Sequence, residues 1–241
     1  MPIRTLPFFI CAVLMLESSL AATIEVAQGA SIQRAIDSAA PDDTIAIAPG
    51  TYREQLVLKD GVTLIGKGRE DVVVEMPPSA GNVLVIKGCF SGGVHSITFR
   101  HAEAAESEGA VDPRAVVSVA NSNVDFDNCV VSNGVANGIR IDGAGHTKIR
   151  NCVIRNNRGS GIALFGKGMP EIVDNTIQDN DVSGIVLHES RSATVSGNVL
   201  KGNKLYGFWP DDKSSLDASN NAFTENALIN AFECRTMFGA K

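Results

Sequence analysis

The sequence predicts an all-β, single-domain protein wound as a parallel β-solenoid of about 8 coils. Three observations carry this. Hydrophobic residues are 44% of 241 and charged residues 20%, a globular balance, while 23 glycines and only 5% aromatics point to many turns around an aliphatic core. The segments starting at Phe126, Ile149, Ile172, Val195 and Ala218 recur every 23 residues without insertion. Within each repeat apolar residues alternate, as in Ile139-Arg-Ile141, Ile162-Ala-Leu164 and Ile185-Val-Leu187, between short Gly/Asn/Asp groups.

The first segment reads as a targeting signal over residues 1–21. One positive charge at Arg4 precedes an apolar run from Leu6 to Leu16, and Ser19-Leu20-Ala21 offers small residues for cleavage near Ala21 or Ala22. The run falls short of the ~20 residues that span a bilayer. The expectation is therefore a secreted or periplasmic domain over 22–241, with no membrane span in the mature chain. A formal net charge of −6 argues against a nucleic-acid partner.

Links this short cannot make βαβ crossovers, so each strand must pair in parallel with its equivalent one turn along, about 4.8 Å away. Three columns define the turn: Gly138/Gly161/Gly184/Gly207, Asn157/Asn180/Asn203/Asn226 and Asn175/Asn198/Asn221. Asn suits such corners because stacked amides bond one another and tolerate the left-handed conformation. Cys129 and Cys152 precede the last column in register, so they stack within disulfide reach. A disulfide and a pair of buried thiols are both compatible with the sequence. Cys89 and Cys234 lie too many coils apart to pair. Residues 232–241 leave the register; they cap the last coil, or the open end dimerises, giving a monomer or an end-to-end dimer.

The repeats, together with the opening Ser31-Ile-Gln-Arg-Ala-Ile-Asp-Ser-Ala-Ala-Pro-Asp-Asp-Thr-Ile-Ala-Ile-Ala-Pro-Gly-Thr-Tyr-Arg-Glu54, resemble the right-handed parallel β-helix proteins of the pectate-lyase-like superfamily. The resemblance implies an amphipathic cap over Ser31–Ala40 and early strands at Ile45–Ala48, Leu56–Leu58, Val62–Ile65 and Val72–Val74. It also implies three strands per coil and a polysaccharide-binding face along the outside of the third. Alternation places Arg140, Ala163, Val186, Trp209 and Phe232 in one outward column of that strand, and Asp142, Phe165, His188, Asp211 and Cys234 in the other.

Register arithmetic sets His188 beside Asp211, Glu189 beside Asp212, and Trp209 beside Phe232 on successive coils. Tyr206 stands at the entrance to the strand. Aromatic faces next to carboxylates and an imidazole suit sugar rings. Expected binding residues are Trp209, Phe165, Arg140, Asp142, Glu189, Asp212 and Lys213, with Lys167 and Arg191 nearby. Tyr206-Gly-Phe-Trp-Pro-Asp-Asp212 resembles the Tyr-Gly-Phe-Asp-Pro-His-Asp signature of mannuronan C5-epimerases. That implies a catalytic role for Tyr206, with Asp211 and His188 as further candidates. The family's Asp is Trp209 here and its His is Asp211.

Other chemistries have weaker sequence support. Glu189 and Asp212 could form a glycosidase carboxylate pair. The opening through Tyr52-Arg-Glu54 resembles pectin methylesterases, but the later aspartate pair and Gln motif do not follow. Calcium is unsupported, because Asp142 and Asp211 stand three coils, about 14 Å, apart. No His/Cys spacing suggests zinc, so no cofactor or metal is expected. The loop from His101 to Arg114 breaks the period where loops border the groove, and reads either as a flexible acidic segment or as a functional rim. The sequence thus points to an exported polysaccharide-binding β-helix, with epimerase- or lyase-like modification of the bound chain as the chemistry the resemblance implies. A non-catalytic envelope scaffold and a glycoside hydrolase are the alternatives.

Overall fold

The computed structural model describes residues 20–102, 115–188, 193–211, 214 and 216–228. Residues 1–19 of the expected targeting signal, the loop at 103–114, residues 189–192, 212–213 and 215, and the segment from 229 lie outside them. The chain coils as a right-handed parallel β-helix whose described strands form three sheets of nine, seven and eight strands. The nine-stranded first sheet runs from Thr23–Val26 to Leu216–Ser219, and the eight-stranded second from Gly50–Tyr52 to Ala222–Thr224. The seven-stranded third sheet runs from Leu56–Leu58 to Phe208–Pro210. Every ladder is parallel, and Ile154 sits over Ile177, which sits over Leu200.

Parallel stacking makes each inward column a continuous apolar stripe. Phe126, Ile149 and Ile172 are fully buried in one; Phe99, Val131, Ile154, Ile177 and Leu200 in another. Each such Leu or Ile contributes about 1.5–3 kcal/mol by leaving water. From Phe126 onwards the coils hold the expected period. Before it the turns take 19, 30 and 32 residues, as Ile45, Leu64, Val94 and Phe126 follow one another in register.

Two corners of the coil are built alike. At each, a residue in the left-handed region precedes a buried ladder residue. At the first corner the left-handed residues are Asn128, Asn151, Asp174, Gly197 and Asn220, with φ between 55° and 68°. At the second they are Asn133, Asn156, Asp179, Gly202 and Glu225, with φ between 55° and 63°. Asn and Asp occupy this region at the least cost among side-chain-bearing residues, which explains their recurrence. The ladder residues then satisfy the corner backbone. Asn198 Nδ2 donates to Asn221 Oδ1 at 3.0 Å and to the Ile172 carbonyl at 2.8 Å, while its Oδ1 accepts from the Asn175 backbone and side-chain amides. The Asn157–Asn180–Asn203–Asn226 column bonds the same way.

The glycine column has a steric cause. A Cβ on Gly138, Gly161 or Gly184 would lie 2.7, 2.8 or 2.5 Å from the carbonyl oxygen of the next glycine along. The coils approach too closely there for any side chain.

Among the described residues one α-helix, Ile32–Ser38, covers the N-terminal end with Ile32, Ala35 and Ile36. It is shorter than the expected span because Ser31 and Ala39 are its caps. The Ser31 hydroxyl accepts from Arg34 N, and the Glu54 carboxylate accepts from Ser31 Oγ, Ile32 N and Gln33 N. A negative charge at a helix N-terminus is favourable as well as hydrogen-bonded. Beyond the helix, Asp43 accepts from the backbone of Ala22 (2.7 Å) and Ala40 (2.8 Å), tying the first strand to the cap.

Cys129 and Cys152 stack as the register requires, with Cys129 N donating to Cys152 Sγ at 3.4 Å. Both are free thiols in the structure, as is Cys89. Among the described residues no helix is long and apolar enough to cross a membrane.

Candidate functional site

Strands Val117–Ala120, Ile139–Asp142, Ile162–Phe165, Ile185–His188 and Phe208–Pro210 lie side by side in the third sheet. Their registers pair Arg140 with Ala163, Ala163 with Val186, and Val186 with Trp209. The second outward column pairs Asp142 with Phe165 and Phe165 with His188, and Asp211 N bonds the Leu187 carbonyl to continue it.

Side chains in that second column form an unbroken chain of contacts. Arg140 clasps Asp142 on its own strand through Nε (2.7 Å) and Nη2 (2.8 Å). Its guanidinium carbon lies 4.2 Å from the Phe165 ring centroid, a cation–π distance. Phe165 and His188 stack at 4.9 Å with 16° between their planes. His188 Nδ1 is 3.9 Å from Asp211 Oδ2, and Asp211 Oδ1 accepts from Ser214 Oγ at 2.7 Å. The first column is apolar at its centre. Ala163 and Val186 are nearly buried and form a floor between Arg140 and Trp209, about 14 Å along the axis at the rung spacing. Trp209 remains 41% exposed, its ring 5.4 Å from Tyr206 and tilted by 44°.

The expected residues therefore divide into two groups. His188 and Asp211 meet at the end of their strands, together with Phe165, Arg140 and Asp142. Tyr206 stands at the other end, before the bend at Gly207, and packs on Trp209 instead. The structure does not gather Tyr206, His188 and Asp211 around one point. Glu189, Arg191, Asp212, Lys213, Phe232 and Cys234 lie outside the described residues.

The charges on this face are largely matched. The Arg140–Asp142 fork is bidentate and about 30% exposed at both partners. Asp211 faces an imidazole that becomes its counter-charge on protonation. What the described strand residues of this face offer is thus aromatic surface with fixed polar edges; Lys167 is exposed in the turn after Ile162–Phe165. In the sequence the same-strand pairing of Arg140 with Asp142 shows only as a two-residue spacing. His101, at the start of the expected loop, is fully buried; its Nε2 bonds the Gly81 carbonyl and its Nδ1 accepts from Val135 N. No group of three or more His, Cys, Asp or Glu among the described residues is placed to hold a metal ion.

The fold has known counterparts. A pectin methylesterase from Yersinia enterocolitica superposes with a TM-score of 0.54 at 14% identity, covering 83% of this chain and 92% of that one. Pectin methylesterase PemA from Erwinia chrysanthemi gives 0.58 at 12% identity, covering 93% and 96%. An alginate lyase from Paenibacillus sp. str. FPU-7 gives 0.51 at 14% identity, covering 87% and 99%. A search among curated proteins finds no match. Identities this low speak for the fold alone. Residues 114–236, half of the chain and all of its regular coils, match the family described as right handed beta helix region, and the protein belongs to that family.

Proposed function

We propose that the protein is exported and binds a polysaccharide along the outer face of its third sheet. The observation that carries this is the ring-lined strip itself. Trp209 and Tyr206 stand at one end, the Phe165–His188 stack runs alongside, and a flat floor of Ala163 and Val186 lies between. Sugar rings present C–H faces that pack on aromatic rings, and their hydroxyls need donors and acceptors at the edges. Asp142, Asp211 and Ser214 supply the edges. Because Arg140 is already clasped, the face suits neutral or sparsely charged sugars better than a dense polyuronate. The structural neighbours, pectin methylesterases and an alginate lyase, support a polysaccharide as the ligand class.

Sedimentation with insoluble polysaccharides tests this reading. The parent protein is expected in the pellet with at least one glycan, and Trp209→Ala should weaken binding about tenfold, the loss of one well-packed aromatic contact. Equal retention of parent and variant would refute it. Export is checked by N-terminal sequencing of protein recovered outside the cytoplasm, which should begin at Ala22 or Thr23.

A second reading, modification of the bound chain, rests on the His188–Asp211 pair, two acid–base groups 3.9 Å apart at the edge of the strip. An absorbance assay for unsaturated uronate over a glycan panel, with His188→Gln as control, addresses it. Absence of product with the parent protein discards lyase chemistry.

A further inference from the structure

The outer face of the second sheet holds an independent arrangement. Arg100, Ser132 and Arg155 occupy equivalent positions on three consecutive strands, Thr98–His101, Val130–Ser132 and Val153–Arg155. They line a cavity of about 290 Å³ together with Thr98, Asn133 and Asn156.

Each of the three has a feature that points outward to a ligand. Ser132 is only 6% exposed, yet its hydroxyl has no hydrogen-bond partner among the described residues. Its oxygen is not among the fully buried, unpartnered polar atoms of the described residues, so the hydroxyl stays open to the cavity and an arriving acceptor can reach it. Arg155 is exposed and its guanidinium makes no ion pair with another described residue, although most of the other described arginines do. Arg100 is fixed: Nε and Nη2 both bond Glu75 Oε2, at 3.0 and 2.7 Å, which leaves its remaining N–H groups free to turn to the cavity. Glu75 is itself nearly buried and also holds Arg53 at 3.0 Å. Counting the lining and its ion-paired partners, Arg53, Arg69, Arg100 and Arg155 face only Glu70 and Glu75. In a chain of net charge −6 this is a local positive patch.

We infer that this groove is a second carbohydrate subsite, one that takes an acidic sugar unit with its carboxylate between Ser132 and Arg155. Arg155 presents a free fork to the carboxylate, and Ser132 donates its hydroxyl. Arg100 closes the other side one rung away, about 4.8 Å from Ser132 along the axis. The cavity is larger than a lone inorganic anion requires. Its rim of Asn133 and Asn156 amides matches a ring bearing hydroxyls, while the Thr98 hydroxyl is engaged by the Arg69 carbonyl and offers at most an acceptor. No aromatic platform is present, so recognition here is by charge and hydrogen bonds, in contrast to the third sheet. The subsite does not depend on the third-sheet reading.

Calorimetric titration with a galacturonic acid trimer, and separately with sodium sulfate, tests the inference. It uses the full chain in parent, Trp209→Ala, Arg155→Gln and Ser132→Ala forms. The trimer is expected to bind Trp209→Ala, while Arg155→Gln and Ser132→Ala each weaken that binding about tenfold. Neither side chain bonds another described residue, so thermal melts of these two variants should match the parent. Trimer binding abolished by Trp209→Ala but unchanged by the other two would overturn the second subsite and leave the third-sheet site standing. Sulfate binding as tightly as the trimer, or no trimer binding at all, would equally overturn it.

Discussion

Replacing Asn198 by Ala probes what holds the coils at their corner. Asn198 is fully buried and its side chain takes part in four hydrogen bonds. After truncation the Asn175 backbone N–H loses its side-chain acceptor, and the Ile172 carbonyl loses one donor. Asn175 Nδ2 keeps the Ile149 carbonyl at 2.8 Å, and Asn221 Oδ1 keeps the Asn198 backbone N–H at 3.0 Å, so two of the four groups fall back on existing partners. Each group left unpaired costs about 1–3 kcal/mol, so the change should destabilise by about 3 kcal/mol. For a chain of this size that lowers the melting temperature by roughly 6–12 °C. The control is Gln178→Ala on a neighbouring coil, whose amide bonds only the exposed Asp179 carboxylate; it should stay within about 0.5 kcal/mol of the parent. Far-UV circular dichroism melts, repeated in urea, measure both. Asn198→Ala melting within a degree or two of Gln178→Ala would show that the ladder does not carry the corner, and the energetic account of the repeat would fail.

Two further predictions concern titration and thiol chemistry. Backbone N–H groups of Ala22 and then Ala40 hold the Asp43 carboxyl below its ordinary value of 3.8. A depressed folded value gives stability that is present above the unfolded value and is lost as pH falls through the folded one. Acid unfolding followed below about pH 4 should therefore be shallower in Asp43→Asn than in the parent; identical acid limbs would refute the link. Burial, and secondarily its neighbour Cys152, pushes the Cys129 thiol well above the ordinary range. Burial likewise raises Cys89. Iodoacetamide followed by peptide mapping should label Cys89, Cys129 and Cys152 only in denaturant, and should do so without reductant. Protection of Cys129 and Cys152 in denaturant until reductant is added would show a disulfide instead.

How much was legible in the sequence followed from the period. Where it is constant, subtraction places neighbours correctly: His188 meets Asp211, Cys129 meets Cys152, and each asparagine bonds its equivalent. The glycine column was visible but unexplained until the distance to the next carbonyl was known. Contacts within a rung were harder to read. Tyr206 and Asp211 are close in sequence, yet an extended strand sends them to opposite ends. The second-sheet groove was missed because two of its three rungs fall across the irregular turn, which separates Arg100 from Ser132 by 32 residues. The 23-residue interval from Ser132 to Arg155 was the available signal.

The constant turn length also makes a coil a removable part. Excising residues 158–180 would splice Asn157 onto Asp181, with Asn157 taking the place that Asn180 holds one turn along. The shortened chain would lose Phe165 and bring Arg140 beside Val186, with every inward stripe still aligned. Surface lettering on such a cylinder can be edited one ring at a time while the interior stays continuous, so a change of ligand need not disturb what keeps the molecule folded.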